Sequence, residues 1–176
     1  MDSEWTRSDV LGAARGWADA RGRRQRADDR RPFRLLGLPA VCWRCQRPTT
    51  ALVGLLPADR RDVEDLITCA AQPVLAVAAA ALSEQARQAS GVGVLRPRFS
   101  RTAGHRYLSN GCRWCDALLG DFYLYTEHLP GLIAEHGLTG LTVVAVVALS
   151  EQQRQVIYDH GSTWTGWWHC DQPPTS

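Results

Sequence analysis

Two short cysteine motifs constrain this chain more than anything else in it. Cys42-Trp-Arg-Cys45 and Cys112-Arg-Trp-Cys115 are C-x-x-C pairs with 66 residues between them. A C-x-x-C in a tight turn presents two thiolates on one side of the backbone, half of a tetrahedral zinc site, and two such knuckles complete a four-cysteine site. Paired knuckles usually lie about 15–20 residues apart, so the longer gap implies an element inserted between them. Loop-closure entropy permits this, since it grows only logarithmically with length. The expected ligands are Cys42, Cys45, Cys112 and Cys115, and the expected cofactor is Zn2+. Four thiolates leave no open position for water or substrate, which makes such a site architectural.

Other readings of the cysteines remain open at this level. A thioredoxin-like redox pair needs its C-x-x-C at a helix N-terminus after a strand. Structural disulfides need an oxidising compartment, and the two pairs could also be unrelated. Cys69, in Asp65-Leu-Ile-Thr-Cys-Ala-Ala, fits a small buried hydrophobe in a helix. A second metal site from Cys69, His160, His169 and Cys170 has no spacing to support it.

Composition narrows the setting. With 176 residues, 45% of them apolar and 22% charged, the chain can bury one core. The longest apolar runs, Val74–Leu82 and Leu141–Leu149, reach nine residues, half of the ~18 that span a bilayer. The opening Met1-Asp-Ser-Glu-Trp lacks the basic and apolar regions of a secretory signal. A soluble, cytoplasmic protein without membrane contact is therefore expected. All twenty basic residues are arginine, a bias that suggests a GC-rich bacterial genome. Charge is divided along the chain: residues 1–115 carry nineteen Arg against eleven acids, residues 116–176 one against seven. Such a chain could bind something acidic at one end.

The chain also matches itself. Ala81-Leu-Ser-Glu-Gln-Ala-Arg-Gln88 and Ala148-Leu-Ser-Glu-Gln-Gln-Arg-Gln155 agree at seven of eight positions, 67 residues apart, and the knuckles recur at an offset of 70. Each half thus runs knuckle, connection, apolar run, Leu-Ser-Glu-Gln, the order expected of an internal duplication. Ser83 and Ser150 are good N-caps, although Glu84 and Glu151 come too early for a capping box. Each apolar run before them is expected to be a buried strand, while the four alanines of the first also permit helix.

Around these landmarks, Ser8 can cap a helix with Val10, Leu11, Ala14, Trp17 and Ala18 on one stripe, followed by an arm with seven arginines over residues 21–34. Leu35–Val41 and Thr49–Leu56 fit strands flanking the first knuckle, and a helix is expected over roughly residues 59–71. Arg96–Arg106 looks like a basic loop, with strands at His105–Leu108 and Asp121–Tyr125 bracketing the second knuckle. The expected layout is an N-terminal helix and arm (1–34), a zinc-ribbon-containing α+β domain (35–170) and a disordered tail (171–176). The fold class expected is α+β: zinc-ribbon-like β-hairpins with an inserted helical segment.

The stretch Tyr107-Leu-Ser-Asn-Gly-Cys-Arg-Trp-Cys-Asp-Ala followed by Gly120-Asp-Phe-Tyr-Leu124, together with Cys42-Trp-Arg-Cys45, resembles uncharacterised bacterial four-cysteine zinc-ribbon-like proteins. In that family a Tyr-x-x-Asn-x-Cys-x-x-Cys-Gly-Ala knuckle precedes Gly-Asp-Phe-Phe-Leu. The resemblance covers roughly residues 38–125 and implies zinc bound by the same four cysteines. Asp116 stands where that family has glycine, and Leu119 where it has a glutamine-like residue. No activity follows from the resemblance.

Two partner classes are expected. Trp43, Arg44 and Arg47 at one knuckle, with Arg106, Arg113 and Trp114 at the other, could stack bases and hold phosphates of DNA or RNA if zinc joins the knuckles. The arginine arm would add sequence-independent attraction. Otherwise these tryptophans shield the metal and the arginines are merely solvated. Trp164, Trp167 and Trp168 either complete the core or anchor another protein or a second copy of the chain. Catalysis has no support: no nucleophile elbow, phosphate loop, zincin or dinucleotide motif is present, and His105, His128, His136, His160 and His169 are scattered.

Overall fold

The apolar runs on either side of the first knuckle form one long antiparallel hairpin, and the fold is assembled on its two faces. The computed structural model describes residues 31–164. In chain order its elements are β1 Phe33–Val41, β2 Pro48–Pro57, β3 Ile67–Thr68, α1 Gln72–Ala81, α2 Glu84–Ala89, β4 Arg96–Phe99, β5 Arg106–Gly111, β6 Leu118–Leu119, α3 Asp121–Tyr123, α4 Leu129–His136, β7 Thr142–Val147 and α5 Glu151–His160. One antiparallel sheet has the order β3-β2-β1-β7; a second has the order β4-β5-β6. The expected α+β class, with helices inserted between the two knuckle hairpins, is what the chain adopts. The N-terminal helix, nearly all of the arginine arm, Trp167, Trp168, His169, Cys170 and the tail lie outside the described residues. Among the described residues no helix is long and apolar enough to cross a membrane.

β1 and β2 pair from Phe33↔Pro57 to Val41↔Pro48, with a bulge that leaves Val53 as the extra residue. Both faces of this hairpin are buried, which explains its nearly unbroken apolar sequence. On one face Phe33, Leu35, Leu52 and Leu55 pack with Val74, Leu75 and Ala78 of α1 and Ile157 of α5. On the other, Leu36, Leu38, Val53 and Leu56 pack with Leu124, Leu129 and Leu141.

Several expectations change. Residues 74–81 belong to helix α1, with Pro73 in its first turn, whereas Thr142–Val147 is strand β7. Alanine-rich sequence goes helical and β-branched sequence extends, as intrinsic preference dictates. The octapeptide match is therefore local, a shared helix start with a helix before one copy and a strand before the other. No helix spans 59–71. That charged stretch makes a single 3-10 turn, Val63–Asp65, and Ile67–Thr68 pairs with Gly54–Leu55. Arg96–Phe99 is a strand and not a loop. Asp121–Tyr125 is helical: α3 runs through a π turn, Leu124–His128, into α4. Pro130 comes just after this π turn, near the start of α4.

Both serines cap as expected. Ser83 accepts from the Ala86 N–H and Ser150 from the Gln153 N–H. Only at Ser150 does a capping box close, with the Gln153 side chain accepting from the Ser150 N–H at 2.9 Å. The one mismatch between the octapeptides, Ala86 against Gln153, decides this difference. The end of α2 is a Schellman motif: Val92 N–H reaches Arg87 O, Gly91 N–H reaches Gln88 O, and Gly91 has φ 76°.

The two sheets are joined by a side chain. Asn110, at the end of β5, is buried and pairs with the backbone of Leu52 in both directions: Leu52 N–H donates to its Oδ1 at 2.7 Å and its Nδ2 donates to Leu52 O at 3.0 Å. The amide imitates a strand partner where β3 has ended. Asn110→Ala should strand both Leu52 groups in the core and cost about 3 kcal/mol. Urea unfolding of the metal-loaded protein should show a lower midpoint at unchanged m-value.

Candidate metal centre

Each C-x-x-C occupies the turn of a hairpin, the first between β1 and β2, the second between β5 and β6. The two turns share one backbone plan. Cys42 N–H donates to Arg47 O at 3.0 Å and Gln46 N–H to Cys42 O at 2.9 Å; at the second turn Cys112 N–H donates to Ala117 O at 2.9 Å and Asp116 N–H to Cys112 O at 3.0 Å. The residue after each second cysteine is left-handed, Gln46 and Asp116 both at φ 58°. Glycine is the undemanding choice there, and both substitutes are held in place. Gln46 Nε2 donates to Trp43 O at 2.9 Å. The Asp116 carboxylate is gripped by Arg96 and Arg98.

The four sulfurs meet. Cys42 Sγ lies 3.6 Å from Cys115 Sγ and Cys45 Sγ 3.6 Å from Cys112 Sγ, and all four fall within 4.8 Å of one another. A disulfide needs about 2.05 Å, and all four are free cysteines. A tetrahedral ion with ligand bonds of about 2.3 Å would set sulfurs about 3.8 Å apart, close to the observed pairs. Cys42 and Cys112 are buried and Cys45 and Cys115 half-buried, so a metal here would be closed to substrate. The group can hold a metal ion.

The thiols also interact electrically. Burial opposes ionisation of Cys112, but N–H groups of Cys115 and Trp114 and the thiols of Cys42 and Cys45 outweigh it and bring Cys112 down to about 7. Cys45 moves the other way. Although the Arg47 N–H favours its thiolate, partial desolvation and the hydrogen bonds of Cys115, Cys112 and Cys42 raise it to about 12. Cys112 is therefore the readier of these two thiols to ionise, and Cys45 the more resistant.

Side chains tie the knuckles across the cluster. Trp43 Nε1 donates to Leu118 O at 2.9 Å, and Trp114 Nε1 returns the bond to Pro48 O at 2.8 Å. The buried Thr49 Oγ1 accepts from the Arg113 N–H at 3.1 Å, inside the second C-x-x-C. Behind that turn Arg98, only 8% exposed, donates to Ser109 O, Val94 O and Asp116. Gly111 leaves room for this guanidinium, which any Cβ at position 111 would strike.

The residues expected to meet nucleic acid are brought together in part. Trp43 (67% exposed), Trp114 (51% exposed), Arg44, Arg47 and Arg113 all sit at the clasp, with the Arg47 and Arg113 guanidinium carbons 5.0 and 4.7 Å from the Trp114 ring centroid. Arg106 does not join them. It begins β5, whose far end carries the knuckle, about 20 Å away at ~3.3 Å per residue. Sequence reasoning missed Asn110, Thr49, Arg98 and Asp121. Asn110 had a signal in the Tyr-x-x-Asn-x-Cys pattern, and Asp116 as the departure from glycine; nothing in the sequence marked Arg98 as buried. Comparison with protein-family models, with curated proteins and with solved structures finds no match to this chain.

Asp116 lends itself to a stability test. Burial would raise its carboxyl, but hydrogen bonds from Arg98 and Arg96 and their charges hold it below the usual range. A depressed folded value means that its contribution is present above the unfolded value, about 3.9, and is lost as pH falls through the folded value. Asp116→Asn tolerates the left-handed turn but leaves Arg98 unpaired, and should cost about 2 kcal/mol. The gap to wild type in chemical unfolding should be flat between about pH 5 and 8 and close below about pH 4.

Proposed function

We propose that the chain is a structural zinc protein in which one Zn2+, held by Cys42, Cys45, Cys112 and Cys115, clasps two hairpins and displays a basic, aromatic surface to single-stranded nucleic acid. The meeting of the four sulfurs carries the zinc reading. An all-thiolate, four-donor set suits Zn2+ over Mg2+ or Ca2+, which take oxygen ligands. The thiolates fix the knuckles and a fourth thiolate closes the last coordination position, so the metal supplies rigidity and no reactive water. Elemental analysis should find one zinc per chain. Removal with a strong chelator should unfold the two hairpins together, because metal-binding free energy, of order ~10 kcal/mol in small zinc peptides, is folding free energy here. A folded protein free of metal, with four freely titrating thiols, would overturn the assignment.

The nucleic-acid reading is supported by the five residues at the clasp. Trp43 and Trp114 are exposed yet fixed by their indole N–H bonds, so little entropy is lost when a base stacks on them. Arg44, Arg47 and Arg113 can each neutralise a phosphate. At about 0.7 per contact on a single strand, the log–log salt slope attributable to these three is about −2. Arg44→Gln, Arg47→Gln and Arg113→Gln combined should remove that slope in fluorescence anisotropy, while Arg106→Gln should leave it within error. Trp43→Ala and Trp114→Ala should each weaken single-strand binding by about 1–3 kcal/mol, and the Phe variants should retain most of it with zinc content unchanged. If neither DNA nor RNA is retained at low ionic strength, the surface serves another partner.

A further inference from the structure

Away from the clasp, a cavity of about 490 Å3 opens between the loop that joins β4 to β5 and the start of α3, within the size range of small-ligand sites. Its lining is mainly apolar and aromatic, with Tyr107, Phe122 and Tyr123 among its walls. Phe122 is 72% exposed, so its ring is accessible at the rim of the cavity. Most polar groups on the lining are already engaged. Gln72 pairs in both directions with the Leu108 backbone, at 3.0 and 2.9 Å. Ser100 Oγ accepts from the Ala103 N–H, and His105 Nδ1 meets Ala103 O at 2.9 Å.

Asp121 is the exception. It lines the cavity, its Oδ1 is buried without a hydrogen-bond partner, and among the described residues no arginine pairs with it. Burial raises its carboxyl to about 6, so it is still ionised at neutral pH. Behind it lie Cys69 and Tyr125. Burial first pushes both thiol and phenol upward, followed by the Asp121 charge at Cys69 and by Cys69 and then Asp121 at Tyr125, so both stay neutral. The Tyr125 hydroxyl is likewise buried without a partner. A lone carboxylate half withdrawn from water is costly unless an opposite charge arrives. The surrounding groups do not converge as metal ligands; the four-cysteine cluster is the only such grouping among the described residues. A hydrated metal ion would also waste the aromatic walls, whereas a cation on an apolar stem uses both features.

We propose that this cavity binds an organic cation, an ammonium or guanidinium on an apolar stem, with Asp121 as counter-ion and Tyr107, Phe122 and Tyr123 as the walls. Such a group occurs on a free amine or on a basic side chain of a peptide. An anion meets repulsion from Asp121, and a neutral alcohol leaves its charge uncompensated. The site is independent of the zinc clasp and of nucleic-acid binding.

The test is a titration of the full-length, zinc-loaded protein, followed by amide NMR. The probes are agmatine, n-butylammonium and a blocked Ala-Arg-Ala peptide, with butyrate and n-butanol as controls. Saturable shifts at residues 103–107 and 120–123 are expected from the cations, at least about tenfold tighter than from either control. Asp121→Asn should weaken the cations about tenfold or more without lowering thermal stability, since it removes a buried charge that has no partner. Phe122→Ala, at an exposed position, should weaken them several-fold in a fully folded protein. Tighter binding of the peptide assigns the site to a basic side chain of a partner, and tighter binding of agmatine to a free amine. Absence of shifts at about 10 mM, equal binding of butanol, or undiminished binding by Asp121→Asn overturns the proposal.

Discussion

Everything near the clasp depends on bringing together two turns that lie 66 residues apart in the chain. The entropy of closing that loop is met by several small devices acting at one place. Asn110 serves as a surrogate strand for Leu52, Thr49 receives an N–H from within the opposite C-x-x-C, and two indoles bond reciprocally to opposite backbones. These contacts hold the two turns so that the sulfurs lie close to tetrahedral spacing. On the zinc reading proposed above, the binding energy of the ion would add to them as folding free energy.

The charged residues show how local strain and long-range contact are combined. Asp116 takes a backbone conformation that costs most residues about 1–2 kcal/mol. Its carboxylate simultaneously supplies the counter-ion that a buried arginine on a different strand requires. The same side chain therefore shapes the turn and fastens β4 to the knuckle. Arg98 shows why charge alone is a poor guide to function. In sequence it belongs to a basic stretch suited to phosphate, yet in the fold it is a structural cross-link to Ser109, Val94 and Asp116.

The parts legible in sequence were those governed by local rules. The strands flanking Cys42–Cys45 follow from apolar runs, the caps at Ser83 and Ser150 from hydroxyl chemistry, and the cysteine cluster from C-x-x-C spacing. Tertiary pairing decided the rest. Ile67–Thr68 extends because β2 offers Gly54 and Leu55 an open edge, and Arg96–Phe99 extends because β5 lies beside it. Asp121–Tyr123 turns helical as the start of a segment whose Leu124 and Leu129 fill one face of the sheet. The isolated carboxylate of Asp121 could not be foreseen, because an aspartate's solitude is a property of what surrounds it.

The self-contained ladder of each knuckle bears on the order of assembly. Because each turn closes through its own hairpin bonds, Cys42 N–H to Arg47 O and Cys112 N–H to Ala117 O, each can present two sulfurs before the other has docked. On the zinc reading proposed above, either turn would take the first ion through its own two thiolates and offer it to the other as the hairpins dock, whereas an ion loaded on each half-site would leave one to be shed before they meet.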